Sequence, residues 1–386
     1  MARKAVVRLG NVAMIIIVFI VVILIALKQK KSTYAAYLVL FVCLLLSISC
    51  SDGVDLYYLE LSYKYPSQFH EYFAWGFDKI FYYLSDINIS FIFFRFICAL
   101  IILYCVFKIH RKCTCYIGFS IGIFSIFPFI GEITQIRNAL SSAIILCFFV
   151  CYIKAQKGQV KYLMGTLLAT SLHYSTIFYG IFVFVKIHIR RLFFLLCILS
   201  ISMYVIYGFG VFPELFESIK LRRAVQWLIV LQHSTDYKSV IVLSFLHITG
   251  LIILWSACIS CKLYNSMSAV VEKEPCNYLL TYDNKAIDCI LNANLLLLPI
   301  LGLYFISPTY FRYVQYMFII NAAILSQAAC GYGLIIPMAN DRYKRISKGA
   351  SQLIVIIYAL CMLLLIFCLG QGGVLRLFNS FSFTIL

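Results

Sequence analysis

The sequence predicts an all-α bundle of transmembrane helices, and three observations carry that prediction. Charge is scarce: 12% of the 386 residues are charged and 63% are hydrophobic. A soluble domain carries about a quarter charged residues, because its surface must face water. Apolar runs of roughly 20 residues recur along the whole chain, each long enough to cross a ~30 Å hydrocarbon core as a helix. The ~10-residue alternating segments of a membrane β-barrel are missing. The mean hydropathy of +0.96 agrees with all three.

Taken in order, the apolar runs predict about ten full spans, near 11–27, 33–49, 89–109, 116–131, 137–153, 191–211, 239–260, 286–306, 313–336 and 350–370. The first run follows Arg3, Lys4 and Arg8 and so has the look of a signal peptide. It lacks a small-residue cleavage site and leads directly into Lys28, Lys30 and Lys31, so a retained span is expected. Internal repeats and low-complexity tracts are absent, and residues 1–386 read as a single membrane domain.

Loop charge sets the orientation. Segments 28–32, 108–115, 154–161, 186–191, 261–285 and 339–349 hold most of the 32 Lys and Arg residues. The positive-inside rule puts these six in the cytoplasm and both termini in the periplasm, against the three basic residues of the N-terminal stub. Segment 162–185 then lies between two cytoplasmic loops and must cross an even number of times. About 24 residues cannot make two crossings, so a re-entrant hairpin of two half-helices is expected, with Leu172-His173-Tyr174-Ser175 near its tip. Two external loops are long enough to be structured. Loop 50–88 mixes acids with aromatics, and 212–238 carries Arg222 and Arg223 among further charged residues.

The net charge of +17 would suggest nucleic acid on a soluble protein. Here it sits in short loops, so part of it is topological and the remainder calls for an anionic partner other than nucleic acid. Most of the 16 cysteines fall inside apolar runs, where they behave as small hydrophobes. His110, Cys113 and Cys115 lack a second ligand pair at zinc spacing, and no metal or cofactor is expected.

Polar residues at membrane depth are expensive and are candidates for function. Glu132, Gln135 and Arg137 share one external turn, Arg312 lies in another, and Arg95 sits a third of the way into its span. Each has a plainer reading: a capped turn, an interfacial arginine, a structural ion pair. Together, Arg137, Arg222, Arg223 and Arg312 come from three external segments that a bundle can bring together. A guanidinium stays charged and takes phosphate oxygens in pairs, so such a cavity suits a membrane-borne diphosphate. His173 is a candidate general base, as are the acids Asp55 and Glu132.

The order of these short elements resembles the EpsG-like branch of the Wzy-type polysaccharide polymerases. They are Asp55 to Tyr58, Gln135-Ile136-Arg137-Asn138-Ala139-Leu140, Leu172-His173-Tyr174-Ser175 and Phe311-Arg312. Two features depart from the family pattern. No basic residue precedes the first element (Ile48-Ser49-Cys50-Ser51), and a Glu-Pro-Gly-like turn is replaced by Ala74-Trp75-Gly76-Phe77. The resemblance implies a GT-C-like glycosyltransferase of the bacterial inner membrane, with its site facing the periplasm. The implied donor and acceptor are glycans on undecaprenyl diphosphate, with a flippase and a chain-length regulator as partners besides the bilayer. His173, Arg137, Arg312, Asp55 and Glu132 would be catalytic. Arg222, Arg223, Gln135, Tyr58, Tyr174 and Arg95 would bind substrate. The rivals are a lipid-linked oligosaccharide flippase, an O-antigen ligase and a membrane acyltransferase. A flippase would be expected to show repeats, a ligase one dominant external loop, and an acyltransferase no set of external arginines.

Overall fold

The computed structural model describes residues 16–49, 54–68, 74–132, 135–155, 158–208, 237–268, 278–304, 308–338 and 343–369. Helices α1 (Ile16–Lys28) and α2 (Thr33–Ser49) lead to two short helices, α3 (Val54–Lys64) and α4 (Trp75–Asp86). Then follow α5 (Phe91–Cys113), α6 (Ile117–Ile126), α7 (Phe129–Glu132), α8 (Ile136–Lys154) and α9 (Gln159–Leu172). After a 3₁₀ segment (Tyr174–Phe184) come α10 (Ile189–Gly208), α11 (Tyr237–Ser268), α12 (Leu279–Tyr282), α13 (Asn284–Leu295) and α14 (Ile300–Leu303). A second 3₁₀ turn (Pro308–Phe311) opens α15 (Arg312–Gly331). A two-stranded hairpin, β1 (Ile335–Pro337) and β2 (Tyr343–Arg345), precedes α16 (Lys348–Leu369).

Among the described residues, six helical stretches are long and apolar enough to cross a membrane: Phe91–Cys113, Ile136–Lys154, Lys238–Met267, Asn284–Leu303, Arg312–Gly331 and Lys348–Leu365. Helices α1, α2 and α6 are apolar but shorter. Helix α15 is the centre of the bundle, and every residue from Tyr313 to Gly331 is buried. Around it pack α11, α16, α6, α5, α13 and α8. The outer helices keep large apolar side chains on the surface, such as Phe93, Phe245 and Leu364, as lipid contact requires.

Two expected spans are corrected. Segment 116–131 is two helices, because Pro128 has no N–H and drives Phe127 into an extended conformation (φ −153°, ψ 130°). Segment 286–306 holds one stretch long and apolar enough to cross, Asn284–Leu303, in which turns at 296–299 link α13 to α14. Segment 313–336 stops as a helix at Gly331. Gly333 follows at φ 103°, and the chain turns into β1.

The hairpin expected at 162–185 is present, with its second arm a 3₁₀ rather than an α-helix. Helix α9 is 14 residues, or about 21 Å. The 11-residue 3₁₀ arm covers a similar length and packs back along α9. The Tyr162 hydroxyl donates to the Tyr179 carbonyl (2.5 Å) and the Tyr152 hydroxyl to that of Val183 (2.7 Å). At the base, Lys186 Nζ donates to the carbonyls of Tyr152 (2.8 Å) and Ala155 (2.5 Å). Both ends of the hairpin therefore lie beside the Lys154 end of α8.

That end also collects other basic segments. Lys112 reaches Cys151 of α8, and Thr114 at the end of α5 donates to Gln327 near the end of α15 (2.7 Å). Lys30 and Lys348 both lie near Cys330. Arg137 and Arg312 stand at the opposite ends of α8 and α15.

Candidate functional site

His173 is the single residue between the two arms of the hairpin, in extended conformation (φ −154°, ψ 116°). Its N–H donates to the Ala169 carbonyl (2.9 Å), and its own carbonyl accepts the Thr176 hydroxyl (2.7 Å). The turn is thus pinned by its own backbone, and the imidazole stands half-buried at the tip. Two guanidinium groups act on it electrostatically, Arg137 from the first turn of α8 and Arg312 from the first position of α15. Burial, followed by these two positive charges, holds the imidazole below its ordinary range and therefore neutral. The structure thus gathers three of the expected catalytic residues, from three separate elements, at one place.

Helix α4 supplies a floor. The Arg137 guanidinium lies 6.0 Å from the centre of the Phe77 ring, within cation–π range. Phe77 can reach it because α4 docks tightly on the end of α9. A Cβ at Gly76 would stand 2.8 Å from the Ser171 carbonyl, so only glycine fits this approach. Phe77 belongs to a buried aromatic cluster with Tyr63, Phe81, Phe91 and Phe94, which fixes α3 and α4 against α5.

Gln135 joins α8 to α15. Its Oε1 accepts from Asn138 Nδ2 (3.2 Å) and from the Tyr316 hydroxyl (3.3 Å). It does not cap α8 through its side chain, and the first turn of α8 carries Arg137. Two guanidiniums near the positive end of a helix favour an anion. Further along, Tyr179 donates to the Tyr313 carbonyl (3.0 Å), and the Tyr313 ring packs on Phe178 and Tyr310. These contacts lock the hairpin to the start of α15. Tyr174, beside His173, is exposed.

Other expected site residues lie elsewhere or beyond view. The Arg95 guanidinium is buried and donates to the Ser47 carbonyl at the end of α2 (2.5 Å), a tie between α2 and α5. Tyr58 is exposed on α3, edge-on to Tyr57. The backbones of Asp55 and Glu132 are helical, in α3 and α7, and their side chains lie outside the described residues, as do Arg222 and Arg223. His110 bonds Ser120 through Nδ1 (2.5 Å). Among the described residues no group of three His, Cys, Asp or Glu is placed to hold a metal ion.

Sequence reasoning missed Phe77, Gln315 and Tyr316. The last two follow Arg312 by three and four positions, the spacing that shares a helix face, and this was the available signal. Gln315 is buried and reaches toward α7, where its amide lies close over Gly131 (2.8 Å to a Cβ there). Phe77 carried no signal beyond being one of many aromatics in its loop.

No curated protein and no solved structure matches the chain. A family model described as the EpsG family matches residues 53–372, a stretch that runs from α3 through α16 and includes all the elements just described. The chain therefore belongs to the EpsG family, a polymerase-type family of the Wzy kind, and is a polysaccharide-polymerase-like membrane protein.

Proposed function

We propose that the chain polymerises lipid-diphosphate-linked oligosaccharide repeats into a surface polysaccharide, as a GT-C-like glycosyltransferase working at the periplasmic face of the inner membrane. The observation that carries this reading is the meeting of Arg137, His173 and Arg312 at the N-terminal end of α8. Growing glycan on undecaprenyl diphosphate would be the donor, and one lipid-linked repeat the acceptor. The acceptor hydroxyl oxygen attacks the anomeric carbon as the bond from that carbon to the diphosphate oxygen breaks. The bonding pair leaves with the diphosphate, and the anomeric centre passes through an oxocarbenium-like state.

Charge builds on the departing diphosphate, where Arg137 and Arg312 hold it, with Arg222 and Arg223 as further contacts. No metal ion is required for this in the proposed mechanism. The acceptor proton goes to His173, or to Asp55 or Glu132. The neutral imidazole can accept a proton, and a bound diphosphate between the arginines would raise its affinity for one. Tyr58 and Tyr174 offer exposed rings for sugar stacking.

The test is glycan length by gel ladder in cells lacking the protein and in cells expressing Arg137→Ala at normal abundance in the membrane. Collapse to a single repeat in both is the expected result. Wild-type lengths from the variant would remove Arg137 from the chemistry. Loss of all surface glycan, with lipid-linked repeats trapped inside, would replace polymerisation by transport.

A further inference from the structure

A cleft of about 790 Å³ opens at the Lys154 end of α8, the far end from the arginine site. Its size lies within the ordinary range for ligand pockets. Its walls are the end of α8, the returning base of the hairpin and the start of α13. Its lining carries Lys154, Lys186, His188, Asp283, Lys285 and Asp288.

The charges do not cancel, since three lysines face two carboxylates and each carboxylate has its own partner. Asp283 caps α13, accepting from the backbone N–H groups of Lys285 (2.9 Å) and Ala286 (3.1 Å). Asp288 pairs with Lys262 of α11. Lys186 is occupied by the carbonyls of Tyr152 and Ala155, with its ammonium 4.2 Å from the centre of the Tyr152 ring. Lys154 and Lys285 are exposed and have no ion pair among the described residues. The uncommitted charge of the cleft is therefore positive and sits on two flexible ammonium groups, which bind phosphate as point charges.

The location narrows the ligand. The cleft lies at the end of the bundle that collects the basic loops, where anionic headgroups attract lysines. We infer that the cleft binds a phosphate-bearing anion, held by Lys154 and Lys285: the phosphodiester of an anionic phospholipid or a soluble phosphate ester. This site is separate from the proposed polymerase chemistry and does not depend on it. The ligand also braces the base of the hairpin whose tip carries His173.

The experiment uses the full-length protein in detergent, with Lys154→Gln/Lys285→Gln as the variant and Lys154→Arg/Lys285→Arg as the charge-keeping control. Native mass spectrometry follows retention of phosphatidylglycerol against phosphatidylcholine, and thermal unfolding follows the shift with inorganic phosphate or glycerol phosphate. Wild type and the arginine control are expected to retain phosphatidylglycerol on the order of tenfold better than the glutamine variant, which identifies a lipid headgroup. A phosphate-dependent thermal shift lost only in the glutamine variant, without lipid preference, identifies the soluble ester. Equal behaviour of wild type and the glutamine variant toward both ligands overturns the site, as does the absence of binding to either.

Discussion

The two ends of α8 are both cationic, and they are built on opposite plans. At the Arg137 end, guanidiniums from two helices face a neutral imidazole over an aromatic floor, half-buried and fixed by packing. At the Lys154 end, ammonium groups stand exposed around a wide cleft, and the carboxylates nearby are tied to a helix cap and a lysine of another helix. The difference teaches that sign of charge alone does not define a site. A planar guanidinium held in one orientation can follow charge as it moves during a reaction, whereas a solvated ammonium on a flexible stem attracts an anion without directing it.

The sharpest way to break the comparison is to exchange the cations. Arg137→Lys keeps the charge and loses the fork, and is expected to lower polymerisation on the order of a hundredfold in an extract supplied with lipid-linked repeats. Lys154→Arg, at the other end of the same helix, is expected to change that rate by less than about twofold. Equal losses would mean that only net charge matters at both ends.

A smaller effect is expected from the floor. Phe77→Leu keeps an apolar side chain against α4's partners and removes the ring face under Arg137. A loss of about threefold to tenfold in rate, with unchanged protein abundance, corresponds to one cation–π contact. An unchanged rate would reduce Phe77 to packing.

The smallest effect lies midway between the ends. Asn294 and Asn321 exchange side-chain hydrogen bonds of 2.9 and 2.7 Å between α13 and α15. Asn321→Leu is expected to cost about 0.6 kcal/mol beyond packing changes, the usual coupling of a polar pair between membrane helices. A double-mutant cycle with Asn294→Leu, read by unfolding in detergent, measures it. A coupling near zero would leave the pair without an energetic role.

Much of this was legible in the residues. Apolar runs placed the long helices, and the two lysine-rich flanks together with the length between them forced segment 162–185 to fold back at His173. The errors have local causes. Pro128 announced a break that the continuous apolar run around it concealed, and Gly333 ends a helix whose apolar character persists past it. The convergence of Arg137 and Arg312 is legible in the siding of their turns and His173 in the tip of the hairpin; that the tip reaches both arginines is what the fold adds. Phe77 was beyond reach, because its role depends on α4 docking against Ser171, a contact between distant segments that leaves no period in the sequence. It lies in the very stretch that departs from the family pattern, so departure there did not mean loss of contact with the site.

The complete enclosure of α15 has a consequence for how the protein is made. Of the six stretches suited to crossing a membrane it is the least apolar, and it carries Gln315, Asn321, Ser326 and Gln327 along its length. Lipid is a poor host for such a segment on its own, whereas the groove left by α5, α6, α8, α11 and α13 supplies partners for its polar groups. All five of those helices precede α15 in the chain, so they leave the ribosome before it does. Biogenesis therefore has a built-in order: the waiting bundle acts as the receptor for its own central helix, and a defect in any early wall would surface as a late failure of membrane insertion.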